Sequence, residues 1–197
     1  MKFFRITFLF LVGITLLISC KKTGCTDPEA LNYLESASKD DHSCYYFWIG
    51  QHHEGGDIFY IDKTRKHGLI TARFDLLSTP WGCYGTIIQG ADDRTVGGGL
   101  QNSLDILAGC GPNTPAGMCL ALDTLGYNDW YLPSIEELKG LSKTLGKVGQ
   151  ANLGSGYYWT STEVDTFAAY LVLFGNGGAE TQNTKTGLYD VRAIRSF

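Results

Sequence analysis

The cysteines constrain the fold of this chain more than any other residue type. Six occur in 197 residues, and all of them follow an N-terminal segment that is typical of exported proteins. Exported proteins enter an oxidising compartment, so the cysteines predict a fold held by disulfide bonds. Cys25 and Cys44 flank a short segment of turn-forming residues and are the clearest pair.

The N-terminal segment predicts export and attachment of lipid. A charged stub precedes an uncharged run over residues 6–18, which is shorter than the ~20 apolar residues that a membrane-spanning helix needs. The tetrad Leu17-Ile18-Ser19-Cys20 resembles the processing box of bacterial lipoproteins. That resemblance implies cleavage before Cys20 and acylation of its thiol. We therefore expect a protein of the bacterial cell envelope, held on the outer membrane by its lipid.

The sequence divides into four parts on this interpretation. They are a signal peptide (1–19), a lipidated tether (20–24), a small disulfide-clipped module (25–45) and a larger C-terminal domain (46–197).

Lipidation of Cys20 leaves an odd number of cysteines for pairing. Cys83, Cys110 and Cys119 follow the first pair along the chain. Spacing alone does not determine their connectivity. We favour a bond between Cys83 and Cys110 and leave Cys119, at a helical position of buried character, as a free thiol in the core.

The module of residues 25–45 is too small to be stable without a covalent clip. Its Asp and Asn side chains, which lie close in sequence, are the oxygen ligands that calcium prefers. These candidate calcium ligands are Asp27, Asn32, Asp40 and Asp41. The same side chains also cap turns, and we favour that alternative.

The larger part alternates between strand and helix periodicities, which predicts a single α+β domain with short antiparallel strands. The predicted strands are 57–62, 69–74, 157–160, 168–174 and 188–197, with a hairpin turn at Asn176-Gly177. Three helices lie between the second and third of these strands. The first carries an apolar stripe of Leu100, Leu104 and Leu107, and the second starts at Thr114-Pro115. The third has a capping box of Ser134 and Glu137 and ends at Gly146, which we expect to be left-handed.

Several segments carry a family resemblance. The main ones are Gly-Tyr-Asn-Asp-Trp-Tyr-Leu-Pro-Ser (126–134), Tyr-Trp-Thr-Ser-Thr-Glu (158–163) and Val-Arg-Ala-Ile-Arg (191–195). They resemble hallmark segments of the Lcl C-terminal domain family, named for the C-terminal domain of a collagen-like bacterial adhesin. The resemblance spans about residues 48–197 and implies a C-type-lectin-like fold with adhesion or glycan binding. Ala193 stands where many members have a cysteine, which puts in doubt a family disulfide to Cys119.

Large and charged side chains of these segments have structural interpretations. Trp130 and Trp159 are predicted core residues, because burial of such aromatic rings contributes strongly to stability. Arg192 and Arg195 are predicted to form ion pairs at the surface.

Composition and motifs exclude several functions. Acidic residues outnumber basic ones, 20 against 16, and basic clusters are lacking, which argues against nucleic acid as a partner. The sequence also lacks His-Glu-x-x-His, Gly-x-Ser-x-Gly and Cys-x-x-Cys, the motifs of common zinc, serine and thiol enzymes. We therefore expect no catalysis and no cofactor other than calcium.

Recognition is the function that remains. Polar residues and glycines gather in loops over 89–99, 161–167 and 175–178, where a rigid scaffold usually carries its binding residues. The candidate ligand-binding residues are Asp92, Asp93, Arg94, Glu163, Asp165 and Asn176. We expect a glycan or another surface polymer as ligand. The alternatives are a formylglycine-generating type of oxidase, for which Cys110 and Cys119 are the nearest cysteine pair, and a structural role in envelope assembly.

Overall fold

The computed structural model describes residues 21–146, 150–175 and 177–197. The predicted signal peptide, Cys20 and Asn176 lie outside the described residues. None of the helices within the described ranges has the length and apolar character that crossing a bilayer requires.

Short strands and three helices make up the described chain. The strands are β1 (Thr23–Gly24), β2 (Lys39–Asp40), β3 (His52–His53), β4 (Gly56–Ile61), β5 (Gly68–Thr71), β6 (Leu76–Thr79), β7 (Tyr157–Glu163), β8 (Ala168–Leu173), β9 (Ala179–Thr184), β10 (Tyr189–Val191) and β11 (Ile194–Ser196). The helices are α1 (Gly99–Cys110), α2 (Pro115–Leu120) and α3 (Ile135–Thr144).

Two sheets organise the larger part of the chain. One has five strands in the order β6-β10-β7-β8-β9, and the other has four in the order β11-β5-β4-β3. Their pairings are antiparallel except for β7 with β10. The predicted α+β class, with short and mostly antiparallel strands and three helices, is confirmed.

The two predicted disulfides are both present. Cys25 bonds to Cys44 and closes the small N-terminal module, in which β1 and β2 are the parallel pair. Cys83 bonds to Cys110 and so joins the loop after β6 to the last residue of α1. Cys119 is a buried free cysteine, as expected.

Helix α3 follows its sequence signals closely at the N-terminus. The Ser134 side chain accepts from the Glu137 N–H while the Glu137 carboxylate accepts from the Ser134 N–H, which completes the predicted capping box. Leu138 and Leu141 are buried as expected. Gly146 is not left-handed, so that part of the prediction was wrong; the helix ends at Thr144, with Leu145 as its C-cap.

Helix α1 buries a different face from the one predicted, and Leu107 of the predicted stripe is half-buried. Leu100 and Leu104 are 44% and 42% exposed, whereas Asn102 and Ser103 are buried. The Asn102 amide donates to the Asp93 carbonyl, and the Ser103 hydroxyl accepts from the Leu132 N–H. Irregular segments packed against α1 leave backbone polar groups that need partners, and this need outweighs the apolar stripe.

The predicted last strand is two strands in different sheets. β10 belongs to the five-stranded sheet and β11 to the four-stranded one, so the chain crosses between them at Arg192 and Ala193. The Arg192 guanidinium is fully buried at this crossing and binds the Asp75 carboxylate and the Ala72 and Ala151 carbonyls. The expectation of a surface ion pair was therefore wrong, because the chain crossing leaves carbonyls that need a buried donor.

The core lies around the two sheets. One cluster contains Trp130 and Trp159, which are fully buried as predicted, and the other contains the apolar face of α3. Arg195 is also mostly buried. It binds the Asp129 carboxylate through two nitrogens at 2.6 and 2.9 Å and lies 4.3 Å from the centroid of the Tyr127 ring.

Candidate functional site

A buried ion pair contacts the loop that follows β6. Glu163, the last residue of β7, pairs with Lys185, which directly follows β9. The two side chains are 2% and 0% exposed. The Lys185 ammonium also lies 4.8 Å from the centroid of the buried Trp81 ring, a cation–π contact.

The hydrogen bonds of this pair fasten the loop that follows β6. The Lys185 ammonium donates to the Thr86 carbonyl at 2.8 Å. Both carboxylate oxygens of Glu163 accept from the Ile88 N–H, at 3.0 and 3.1 Å. Two buried charged side chains therefore bind backbone atoms of residues 86–88 from the protein interior.

Two exposed aromatic rings meet next to this loop, Tyr84 just before residues 86–88 and Phe167 on the turn between β7 and β8. Tyr84 is 57% exposed and Phe167 is 54% exposed, and their ring centroids lie 5.2 Å apart. A depression of about 340 Å³ lies between residues 86–89 and the outer side of α1, where Asp105 contributes a carboxylate. We call this surface the loop platform; it comprises Tyr84, Thr86, Ile87, Ile88, Gln89, Asp105 and Phe167.

Two of the candidate binding residues support the platform: Glu163 from the interior and Asp165 at an exposed turn. Glu163 is buried in the ion pair, so its assignment to ligand binding was wrong; the buried Lys185 ammonium draws the carboxylate inward. Asp165 caps the turn between β7 and β8, since its carboxylate accepts from the N–H groups of Phe167 and Ala168 at 2.7 and 2.8 Å. That turn places the Phe167 ring next to Tyr84.

Three other candidates lie on the loop before α1, and Asn176 lies outside the described residues. The Asp93 carboxylate accepts from the N–H and the hydroxyl of Thr95, and these hydrogen bonds lower the pKa of Asp93. Arg94 binds both oxygens of Glu180 at 3.1 Å, and its guanidinium lies 4.4 Å from the centroid of the Tyr170 ring. Asp92 is exposed. Arg94 is thus engaged in a surface network with Glu180 and Tyr170.

Three of the four candidate calcium ligands cap turns, and the fourth, Asn32, links two segments of the module. The Asp27 carboxylate accepts from the Glu29 N–H and the Tyr46 hydroxyl, and the Asn32 amide binds backbone atoms of Ser43 and Tyr45. The carboxylates of Asp40 and Asp41 accept from the N–H groups two residues later, those of His42 and Ser43. Within the described ranges, no three His, Cys, Asp or Glu side chains are grouped as a metal site would require. The hydrogen bonds of Asp27, Asp40 and Asp41 are those that the turn-capping alternative predicts, and calcium binding stays a prediction.

The cysteine pair that the oxidase alternative requires is not available. Cys110 is bonded to Cys83, and Cys119 is fully buried in the core. Burial raises the pKa of the Cys119 thiol far above its ordinary value, so the reactive thiolate is suppressed.

The residues that matter most at the platform carried little sequence signal. Lys185 lies in a polar stretch, residues 181–187, and this sequence context predicts an exposed lysine. Tyr84 and Ile87 belong to a loop with no recognisable motif. The one available hint was the disulfide between Cys83 and Cys110, which predicts that this loop is held in place.

Comparison with known proteins assigns no family. No family model matches the chain, and no curated protein matches it. A solved structure with a similar chain path is a fimbrial protein from Bacteroides ovatus, with 14% sequence identity and a TM-score of 0.48. The similarity covers 82% of this chain and 51% of that one, so the chain spans about half the length of the fimbrial protein. A likeness at this level carries no functional argument.

Proposed function

We propose that this chain is a lipid-anchored protein of the bacterial cell envelope, displayed at the outer membrane, whose larger domain binds a glycan or another surface polymer without catalysis. The loop platform carries the proposal. Its exposed rings are Tyr84, on a loop that a buried ion pair and a disulfide hold in place, and Phe167, on the turn between β7 and β8.

The energetics of the platform support recognition. Burying two charges is expensive, and their attraction offsets the desolvation cost only when further hydrogen bonds complete the geometry. Glu163 and Lys185 make those further bonds to the loop backbone at Ile88 and Thr86. A fixed loop that keeps large apolar side chains in solvent is what a binding surface needs, because little ordering entropy is then lost on binding.

The side chains of the platform suit a polymer with both apolar and hydroxyl groups. Tyr84 and Phe167 offer ring faces, while Gln89 and Asp105 offer an amide and a carboxylate beside the depression. Polysaccharides have this mixture of C–H faces and hydroxyls. The resemblance of the chain to the Lcl C-terminal domain family, and the C-type-lectin-like fold that it implies, are part of the same proposal.

A carbohydrate array tests the binding half of the proposal. The double variant Tyr84→Ala/Phe167→Ala should lose binding to the polymer that the wild-type protein binds. Tyr45→Ala/Phe74→Ala is the matched control, because these rings are 56% and 42% exposed but belong to other surfaces. Equal binding by the platform variant and the wild type, or no binding of the wild type to any polymer, would count against the proposal.

Mass spectrometry of the processed N-terminus tests the anchoring half. Acyl chains on Cys20 and loss of residues 1–19 are the expected result. A processed chain with an unmodified Cys20 thiol would remove the anchor from the proposal without affecting the platform.

A further inference from the structure

The five-stranded sheet carries a second concave surface that shares no residue with the loop platform. It is a groove of about 150 Å³ lined by Tyr157, Leu171, Thr181, Asn183 and Tyr189. These residues come from β7, β8, β9 and β10. Thr181 is paired with Leu171 in the sheet register, so backbone hydrogen bonds fix their spacing. We call this surface the tyrosine groove.

Two tyrosine rings form the walls of the groove. The centroids of Tyr157 and Tyr189 lie 6.0 Å apart, with their planes at 69°. Tyr189 also packs edge-on against the buried Trp159, at 5.0 Å and 87°, which holds its ring from behind. A tyrosine has few rotatable bonds, so ordering these rings on binding costs little entropy.

Polar groups are placed at the rim of the groove. The Asn183 amide donates to the Tyr189 hydroxyl, and the Asn183 oxygen accepts from the Thr184 N–H at 2.7 Å. These bonds fix the amide orientation and leave its second proton, together with the hydroxyl proton of Tyr189, directed to no partner among the described residues. Thr181 adds a hydroxyl that can donate and accept.

We propose that the tyrosine groove binds one neutral hexopyranose unit of a polysaccharide. The C–H face of a pyranose ring packs on the face of a tyrosine ring, whose π cloud is negative. Its hydroxyls then meet the amide of Asn183 and the hydroxyls of Thr181 and Tyr189. The volume lies below the roughly 300–1,000 Å³ of sites for drug-sized ligands, so it matches one sugar ring instead of a buried oligosaccharide.

The charges select neutral sugars over anionic ones. All five lining residues are uncharged, so a sulfate or carboxylate in the groove would lose its hydration without gaining a cation. The chain as a whole is acidic, with a formal net charge of -4, and repels anionic polymers. The inference does not depend on the loop platform.

Affinity electrophoresis of the full mature chain in detergent tests the inference. The gels contain laminarin, mannan or galactan as neutral polymers, and heparin as the anionic one. At least one neutral polymer should retard the wild-type chain. Tyr157→Ala removes one wall, and Thr181→Arg fills the groove from an exposed position on β9 without disturbing the core; each should weaken retardation by at least about tenfold.

The variants separate failure of this inference from failure of the proposed function. Tyr45→Ala/Phe74→Ala, at exposed rings that belong to neither surface, should leave retardation by the groove ligand unchanged. If the platform variant loses binding while Thr181→Arg and Tyr157→Ala bind like the wild type, the groove inference is wrong and the platform stands. Retention by heparin alone, or by no neutral polymer, also overturns the groove inference.

Discussion

Lys185 forms a fully buried ion pair with Glu163, and both residues bind the backbone of the loop over residues 86–88. The pair joins the end of β7 to the residue after β9. It lies in the interior next to the two segments that carry the exposed Tyr84 and Phe167. A structural feature of the interior thus determines the shape of the surface that we propose as the binding site.

Breaking the buried pair should be costly. Glu163→Gln leaves the Lys185 ammonium without a counter-charge in the core, and we expect a loss of about 3–5 kcal/mol in the free energy of unfolding. Lys185→Met should cost a similar amount. Urea titrations should show the double variant to be more stable than the sum of the single losses predicts.

The control for this prediction is an ion pair at the surface. Lys139 bridges Glu136 and Glu180 at 2.8 and 3.0 Å, and both carboxylates are solvent-accessible. Lys139→Met should therefore cost less than about 1 kcal/mol. An equal loss in Lys139→Met and Lys185→Met would mean that the pair beneath the platform has no special role.

Even a conservative substitution of Arg192 should destabilise the protein. Its guanidinium binds Asp75 and the carbonyls of Ala72, Ala151 and Asn152, and a lysine cannot reproduce that planar arrangement. We expect Arg192→Lys to lower the free energy of unfolding by about 2 kcal/mol or more. Arg73→Lys, at a half-exposed arginine beside Asp57, serves as the comparison and should stay within about 1 kcal/mol of wild type.

The cysteines should differ sharply in reactivity. Because Cys119 is buried and its thiol pKa is raised, iodoacetamide should leave it unmodified in the native chain and modify it after denaturation. Cys25, Cys44, Cys83 and Cys110 should react only after reduction. Peptide mapping by mass spectrometry distinguishes these sites, and modification of Cys110 without reductant would contradict the assigned pairing.

Glu180 should contribute to the pH dependence of stability. Its hydrogen bond from Lys139, followed by that from Arg94, holds the pKa of this carboxyl below its ordinary value. The folded state thus favours the charged form, and the stabilisation is present above the ordinary pKa of 4.5 and is lost as the pH falls through the lowered pKa. Denaturation midpoints of wild type and Glu180→Gln should differ at neutral pH and converge in acid. A difference that persists in acid would contradict this.

The sequence determined much of the fold through local signals. Ser134 and Glu137 form a capping box from side chains three residues apart, and Thr114 caps α2 in the same local manner. Signals of this kind act within one turn of the chain and can be read without tertiary contacts.

Long-range contacts account for what the sequence did not predict. Leu104 is exposed and Asn102 is buried, the reverse of what the sequence pattern predicts, because backbone groups of the loops around α1 need polar partners. Arg192 is buried by a chain crossing, and Lys185 reaches Glu163 across 22 residues of sequence. No local pattern encodes which distant charge will meet a given side chain.

Hydrogen–deuterium exchange of the mature chain, with and without the polymer that it binds, tests most directly the central claim that the loop platform is the binding site. We predict slower exchange on binding over residues 84–89 and at the turn containing Phe167, with unchanged exchange in the module of residues 25–45. Protection confined to that module, or none at the platform under saturating polymer, would contradict the account.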